Sequence, residues 1–163
     1  MCLIIDRTLH KKDLEGYECI MPFVADRDIL VTKMLMPSKK NWLFGRRITK
    51  TPIRYHEIKF GYDGTATLED EFSFDLYYNK DYDTITHFVE HGIHAYTGVG
   101  QDSSLEISSM YFCVEHKAII PKGTNYYLGK KGDIVAEKMT IFFDDKAYNR
   151  YTERNGVPKR VTL

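Results

Sequence analysis

Residues 125–143 read NYYLGKKGDIVAEKMTIFF. Two runs rich in β-formers flank Gly129-Lys130-Lys131-Gly132, a short loop of glycines and lysines. That arrangement predicts a β-hairpin, with the second arm running on through 133–143. Just before it, YFCVEHKAIIP (111–121) reads as a strand, and PKGT (121–124) as a turn with proline at its second position. Working outward, the same grammar recurs. DILVTKMLM (28–36) alternates Ile29, Val31, Lys33 and Leu35 against Leu30, Thr32, Met34 and Met36, which leaves Lys33 on a largely apolar face. EFSFDLYY (71–78) sets Phe72, Phe74, Leu76 and Tyr78 against Ser73, Asp75 and Tyr77. IRYHEIKFG (53–61) also has strand character, CLII (2–5) is a short first strand, and CIMPFV (19–24) is placed at a sheet edge, or demoted from strand, by Pro22.

The fold class expected is α+β: mainly antiparallel β, sheet or barrel-like, with one or two short helices. Residues 37–52 read as a basic loop, 81–90 as a short helix or irregular approach, and 102–112 as ambiguous, with Ser103 or Ser104 able to cap a helical turn. A single domain over 1–163 is expected, with its core at about 19–145; residues 146–163 read as polar, with at most a short helix and a partly frayed tail.

The 163 residues include 12 tyrosines and 9 phenylalanines, and 23 lysines plus arginines balance 23 aspartates plus glutamates. A zero net charge argues against a general nucleic-acid binder. No apolar run is long enough to cross a membrane as a helix. The opening MCLIIDRTLHKKDLEG lacks the charged lead and long apolar stretch of a signal peptide, and Cys2, Cys19 and Cys113 form no C-x-x-C pair. A cytoplasmic protein is the expectation.

HFVEHGIHAYTG (87–98) holds His87, His91 and His94 with Glu90 among them. On a helix His87 and His91 would share a face at metal-ligand spacing. Gly92 and the strand-forming Ile93, Ala95 and Tyr96 favour a strand instead, in which His94 and Tyr96 share one face. No metal and no cofactor are expected. Cys2 has two readings, an N-terminal nucleophile and a core residue; its neighbours Leu3-Ile4-Ile5 favour the core. The run Glu69-Asp70-Glu71 reads as a solvated turn. Glu137, late in a β-rich chain, allows an ADP-ribosyltransferase-like alternative, although the S-T-S and E-x-E patterns of those enzymes are missing.

Arg46, Arg47 and Arg54, with Trp42 and Tyr55 nearby, supply groups for phosphate oxygens and for stacking on a base. Adding the GIHAY and IPKGTNYY segments gives one candidate pocket: Arg46, Arg47, Arg54, Tyr55, His91, His94, Tyr96, Lys122 and Tyr126, with no catalytic set among them.

MCLII, DILVTKML, TPIRYHEIKFG, EHGIHAYTG and AIIPKGTNYYLGKKGDIVAEKMTI occur in an order that resembles small uncharacterised proteins of phages and bacteria. The resemblance covers roughly residues 26–143 and rests on G-I-H-A and I-P-K-G-T together. It implies a small, cytoplasmic, phage-type protein. By analogy with phage sponges, the function expected is to sequester a nucleotide-derived immune signal, such as a cyclic dinucleotide or a cyclic ADP-ribose-like molecule, without cleaving it, from a homo-oligomer. A nucleotide-processing enzyme and a protein-binding module without a small ligand are the alternatives.

Overall fold

The structure is a computed structural model that describes residues 3–6, 20–40, 47–50, 57–59, 61–79, 84–98, 113–129 and 132–161. It is a mainly antiparallel β protein with one short helix among those residues. The strands are β1 (Leu3–Ile4), β2 (Phe23–Val24), β3 (Ile29–Lys40), β4 (Arg47–Lys50), β5 (Glu57–Lys59), β6 (Thr65–Glu69), β7 (Ser73–Asn79), β8 (Thr84–His91), β9 (Ile93–Tyr96), β10 (Val114–Ile120), β11 (Asn125–Leu128), β12 (Asp133–Ala136), β13 (Lys138–Phe142) and β14 (Lys159–Arg160). The helix is α1 (Asp145–Asn155).

The large sheet runs β2-β11-β12-β9-β3-β10-β13-β6, and a small one runs β1-β8-β7. The expected hairpin is present: Tyr126, Tyr127 and Leu128 pair with Ala136, Val135 and Ile134. Its second arm differs from the expectation. The chain breaks at Glu137, so that β12 joins β9 and β11 while β13 joins β10 and β6. The break is fixed by backbone bonds: Glu137 N donates to Asn125 O at 3.2 Å and Glu137 O accepts from Asp70 N at 2.9 Å.

Alternation decides what each face covers. Ile134 and Ala136 enter the main core with Ile29, Val31, Leu35, Ile93, Ala95, Ala118, Ile120, Met139 and Ile141. Val135, between them, points the other way and packs with Leu3, Ile5, Ile20, Val89 and Tyr127 beneath the small sheet. Both faces of β12 are covered, hence its unbroken apolar run. The two sheets are one chain at Gly92, where β8 hands over to β9. A Cβ there would lie 2.6 Å from Val135 Cγ2 and 3.0 Å from Phe72 Cδ1, and φ is +115°, so only glycine fits.

Two expectations are corrected. The basic segment 37–52 is not simply a loop: β3 runs to Lys40 and pairs with β4, Lys40 opposite Arg47, with a register shift between Met36 and Lys39 that takes up Pro37, which has no N–H to give. Within 81–90, Thr84 onward is strand, antiparallel to β7. The terminal segment holds the one short helix expected there. Asp144 caps α1, its Oδ1 accepting from Ala147 N at 2.7 Å. Ala147, Tyr148 and Tyr151 lie over Ile119 and Phe142, an apolar stripe inside a polar composition. Beyond it β14 adds in parallel to Ile29 and Leu30. The span 102–112 and residues Cys2 and Cys19 lie outside the described residues.

Candidate functional site

The site begins with the edges of β3. One edge is fully used by β10, from Ile29↔Ile120 to Leu35↔Val114. The other is shared in pieces: β14 at Ile29 and Leu30, β9 at Thr32, β4 from Met36 onward. On β9, Thr97 N donates to Gly132 O at 2.9 Å, so odd-numbered residues turn their backbone groups to β12 and His94 and Tyr96 turn theirs to β3. Tyr96 meets Thr32. Continued, that register would set Met34 opposite His94, but there the strands part. Lys33 reaches into the gap: its Nζ donates to His94 O at 2.5 Å.

Lys33 lies on the face of Ile29, Val31 and Leu35 and is 6% exposed. Directly across, in register, stands His116 of β10, whose companions on that face are Val114, Ala118 and Ile120. The His116 ring lies 5.4 Å from that of Phe143. Two bases are therefore cross-strand neighbours at a spacing of about 5 Å between Cβ atoms, and neither strand presents a carboxylate on this face. Burial lowers the Lys33 pKa to about 8, opposed by the nearby Cys113 thiol. Burial also lowers that of His116, opposed by a hydrogen bond with the Phe142 backbone. Elsewhere lysines meet carboxylates: Lys117 Nζ is 2.8 Å from Asp145 and Lys138 Nζ 2.5 Å from Glu69. Lys33 has one hydrogen-bond acceptor, a neutral carbonyl, among the described residues. A buried cation held this way is costly until an anion joins it.

The nine residues expected to share a pocket are dispersed. Arg46, Arg54 and Tyr55 lie outside the described residues, and Arg47 is described for its backbone alone, at the start of β4. His91 is the exposed last residue of β8. His94 and Tyr96 do share a face, but it is the face opposite Lys33. Tyr96 is packed with Met34, Met36 and Cys113, and its hydroxyl pKa is raised by burial and by Asp133. Tyr126 pairs with Ala136, which pairs with Ile93, so it faces the main core, opposite to His94, with its ring 5.4 Å from Phe23. Lys122 is exposed in the turn after β10, its N–H donating to Asp28 Oδ1 at 3.0 Å. It stands six residues beyond His116, roughly 20 Å along an extended chain.

Lys33 was visible in sequence as a lysine in an apolar parity. His116 was passed over as part of a plain strand; its signal is that it shares parity with Ala118 and Ile120 in VEHKAII. Glu137 lines a shallow cavity of about 660 Å³ with Glu69, Asp70, Glu71, Gly123, Thr124 and Lys138. That wall repels phosphate, which disfavours the transferase-like reading of Glu137. Among the described residues no group of three or more His, Cys, Asp or Glu is placed to hold a metal, and no helix is long and apolar enough to cross a membrane. Compared with protein families, with curated proteins and with solved structures, the chain finds no match.

Proposed function

We propose that the protein binds and holds a small nucleotide-derived anion without chemistry, as a phage-type sponge for an immune signal, with Lys33 as the seat of a phosphate. The observation that carries this reading is Lys33, a buried lysine whose amine meets a neutral carbonyl, His94 O, and no carboxylate among the described residues. A phosphate there gains charge-assisted hydrogen bonds and offsets a desolvation cost already incurred in folding. Cytoplasmic action in an infected cell belongs to the same proposal and follows from the resemblance; assembly into a homo-oligomer belongs to it because a tight site that closes over its ligand is often shared between subunits.

Sequestration at stoichiometric levels asks for a dissociation constant near nanomolar, about −12 kcal/mol. The test is to incubate the protein with cyclic dinucleotides and cyclic ADP-ribose isomers, remove free ligand, denature and chromatograph. Recovery of intact ligand from wild type, lost in Lys33→Met, is the expected result. A converted product indicates an enzyme. No depletion of any nucleotide overturns the proposal.

A further inference from the structure

The large sheet ends on β6, and two backbone bonds fix which groups of that strand face outward. Gly64 O accepts from Phe143 N at 3.0 Å, and Asp70 N donates to Glu137 O at 2.9 Å. Even-numbered residues here therefore turn their backbone to β13, and Thr65, Thr67 and Glu69 turn theirs away. Thr65 is already engaged: its O accepts from Gly61 N at 2.9 Å, and its N donates to Asp63 Oδ1 at 3.1 Å. Thr67 and Glu69 are exposed and meet no strand on that side among the described residues. Sheet edges are commonly guarded by shortness, proline, lysine or a bulge. At the opposite end of this sheet β2 is two residues long and follows Pro22. β6 has none of those guards: TATLE runs five residues in unbroken register.

We propose that β6 is a docking edge that takes up an extended, basic segment of another protein as a further strand of the sheet. The outward N–H and C=O groups of Thr67 and Glu69 supply the backbone pairing, the source of affinity in strand addition. The charge beside them selects the guest. Glu69, Glu71 and Glu137, with Lys138 among them, line the cavity of about 660 Å³ at the C-terminal end of β6. Lys138 is held by Glu69 at 2.5 Å, so Glu71 and Glu137 have no ion pair among the described residues. A lysine or arginine on the added strand meets these carboxylates. On the other face of β6, half-buried Leu68 packs at the margin of the main core, so the guest's intervening residues are apolar. A second copy of this chain fits poorly, because its β6 brings the same glutamates to an edge already rich in them. In the sheet β13 and β10 separate β6 from β3, so this edge and the Lys33 seat stand apart.

The probe is a short synthetic peptide of alternating lysine and valine, added to the full chain and followed by calorimetry and amide exchange. Exchange at the Thr67 and Glu69 amides should slow by at least about tenfold on saturation. Methylating one alternate set of peptide amides should weaken binding at least about tenfold, while methylating the other set spares it, because only one set faces β6. The lysine amides are the sensitive set if the strand adds antiparallel, and the valine amides if it adds parallel. Thr67→Pro deletes an outward N–H without breaking a bond to β13, and should weaken the peptide to a similar extent at unchanged Tm. The two methylated peptides make the same test on wild type, so it does not depend on that variant folding. A peptide that does not bind, or that binds alike in both methylated forms, overturns the proposal. So does a homodimer formed through β6 that excludes the peptide.

Discussion

Replacing Lys33 with methionine should make the protein more stable at neutral pH, and less so as the pH rises. Methionine has nearly the same length, no charge, and a soft thioether suited to the apolar face of β3. Burial lowers the lysine's pKa from 10.5 to about 8. Because the folded value is the lower one, the unfolded chain binds more protons between those two values, and stability rises with pH across that window. Below it the full penalty applies, about 3 kcal/mol near pH 7; by about pH 9.5 it has shrunk to roughly half of that. Methionine removes that penalty but also the hydrogen bond to His94 O, a loss of about 1 kcal/mol that does not depend on pH. The variant should therefore gain about 2 kcal/mol at pH 7 and be close to wild type at about pH 9.5. For a chain of this size the neutral-pH gain is a rise in Tm of about 4–8 °C. Urea unfolding of both proteins at the two pH values measures it, since other titrations cancel in the difference. A stability difference that does not change with pH refutes the claim that Lys33 is a desolvated cation.

Three further outcomes are expected. Gly92→Ala forces a Cβ into Val135 and Phe72 at a positive φ, and should cost about 2–5 kcal/mol by thermal or chemical unfolding. Tyr151→Phe removes the hydroxyl that donates to Asp28 Oδ2 at 2.5 Å, and should lower stability by about 1–2 kcal/mol in a urea titration while leaving retention of any anionic ligand unchanged. Elemental analysis of protein purified without added metal should find well under one zinc per chain; a stoichiometric amount would direct attention back to His87, His91 and His94.

The strands that were legible are those with one face covered and one open. In 28–33 the alternation is clear because Ile29, Val31 and Lys33 are buried while Leu30 and Thr32 are less so, and the pleat writes that difference into every second residue. Where both faces are covered, as along Ile134-Val135-Ala136, the sequence shows only an apolar run, and nothing in it marks the step at Glu137 where the chain changes neighbours. The β3–β4 hairpin was hidden for the opposite reason. Its residues are basic, and the ladder that defines it is made by backbone groups. A short terminal helix was expected, but its packing was concealed by averaging: Ala147, Tyr148 and Tyr151 form a stripe against Ile119 and Phe142 within an otherwise charged segment. The site divides along the same line. Lys33 was conspicuous by its parity, a local property. That His116 stands opposite it depends on the register of two strands some eighty residues apart, which no local reading contains. The predicted pocket joined His94 to Tyr126 on chemical type, and the sheet places them back to back.

The parallel pairing of β14 with Ile29 and Leu30 has a bearing on biosynthesis. The first long strand to leave the ribosome receives one of its neighbours about 130 residues later. At ordinary translation speeds of about 5–20 residues per second, that is an interval of roughly 6–25 s in which part of its edge has no chain to zip against. Over the same interval Ile119 and Phe142 await the helix that roofs them. Nascent chains halted just after Phe143 should thus be the most adhesive species this polypeptide passes through, recruiting holdase chaperones that release it once Arg160 has cleared the exit tunnel.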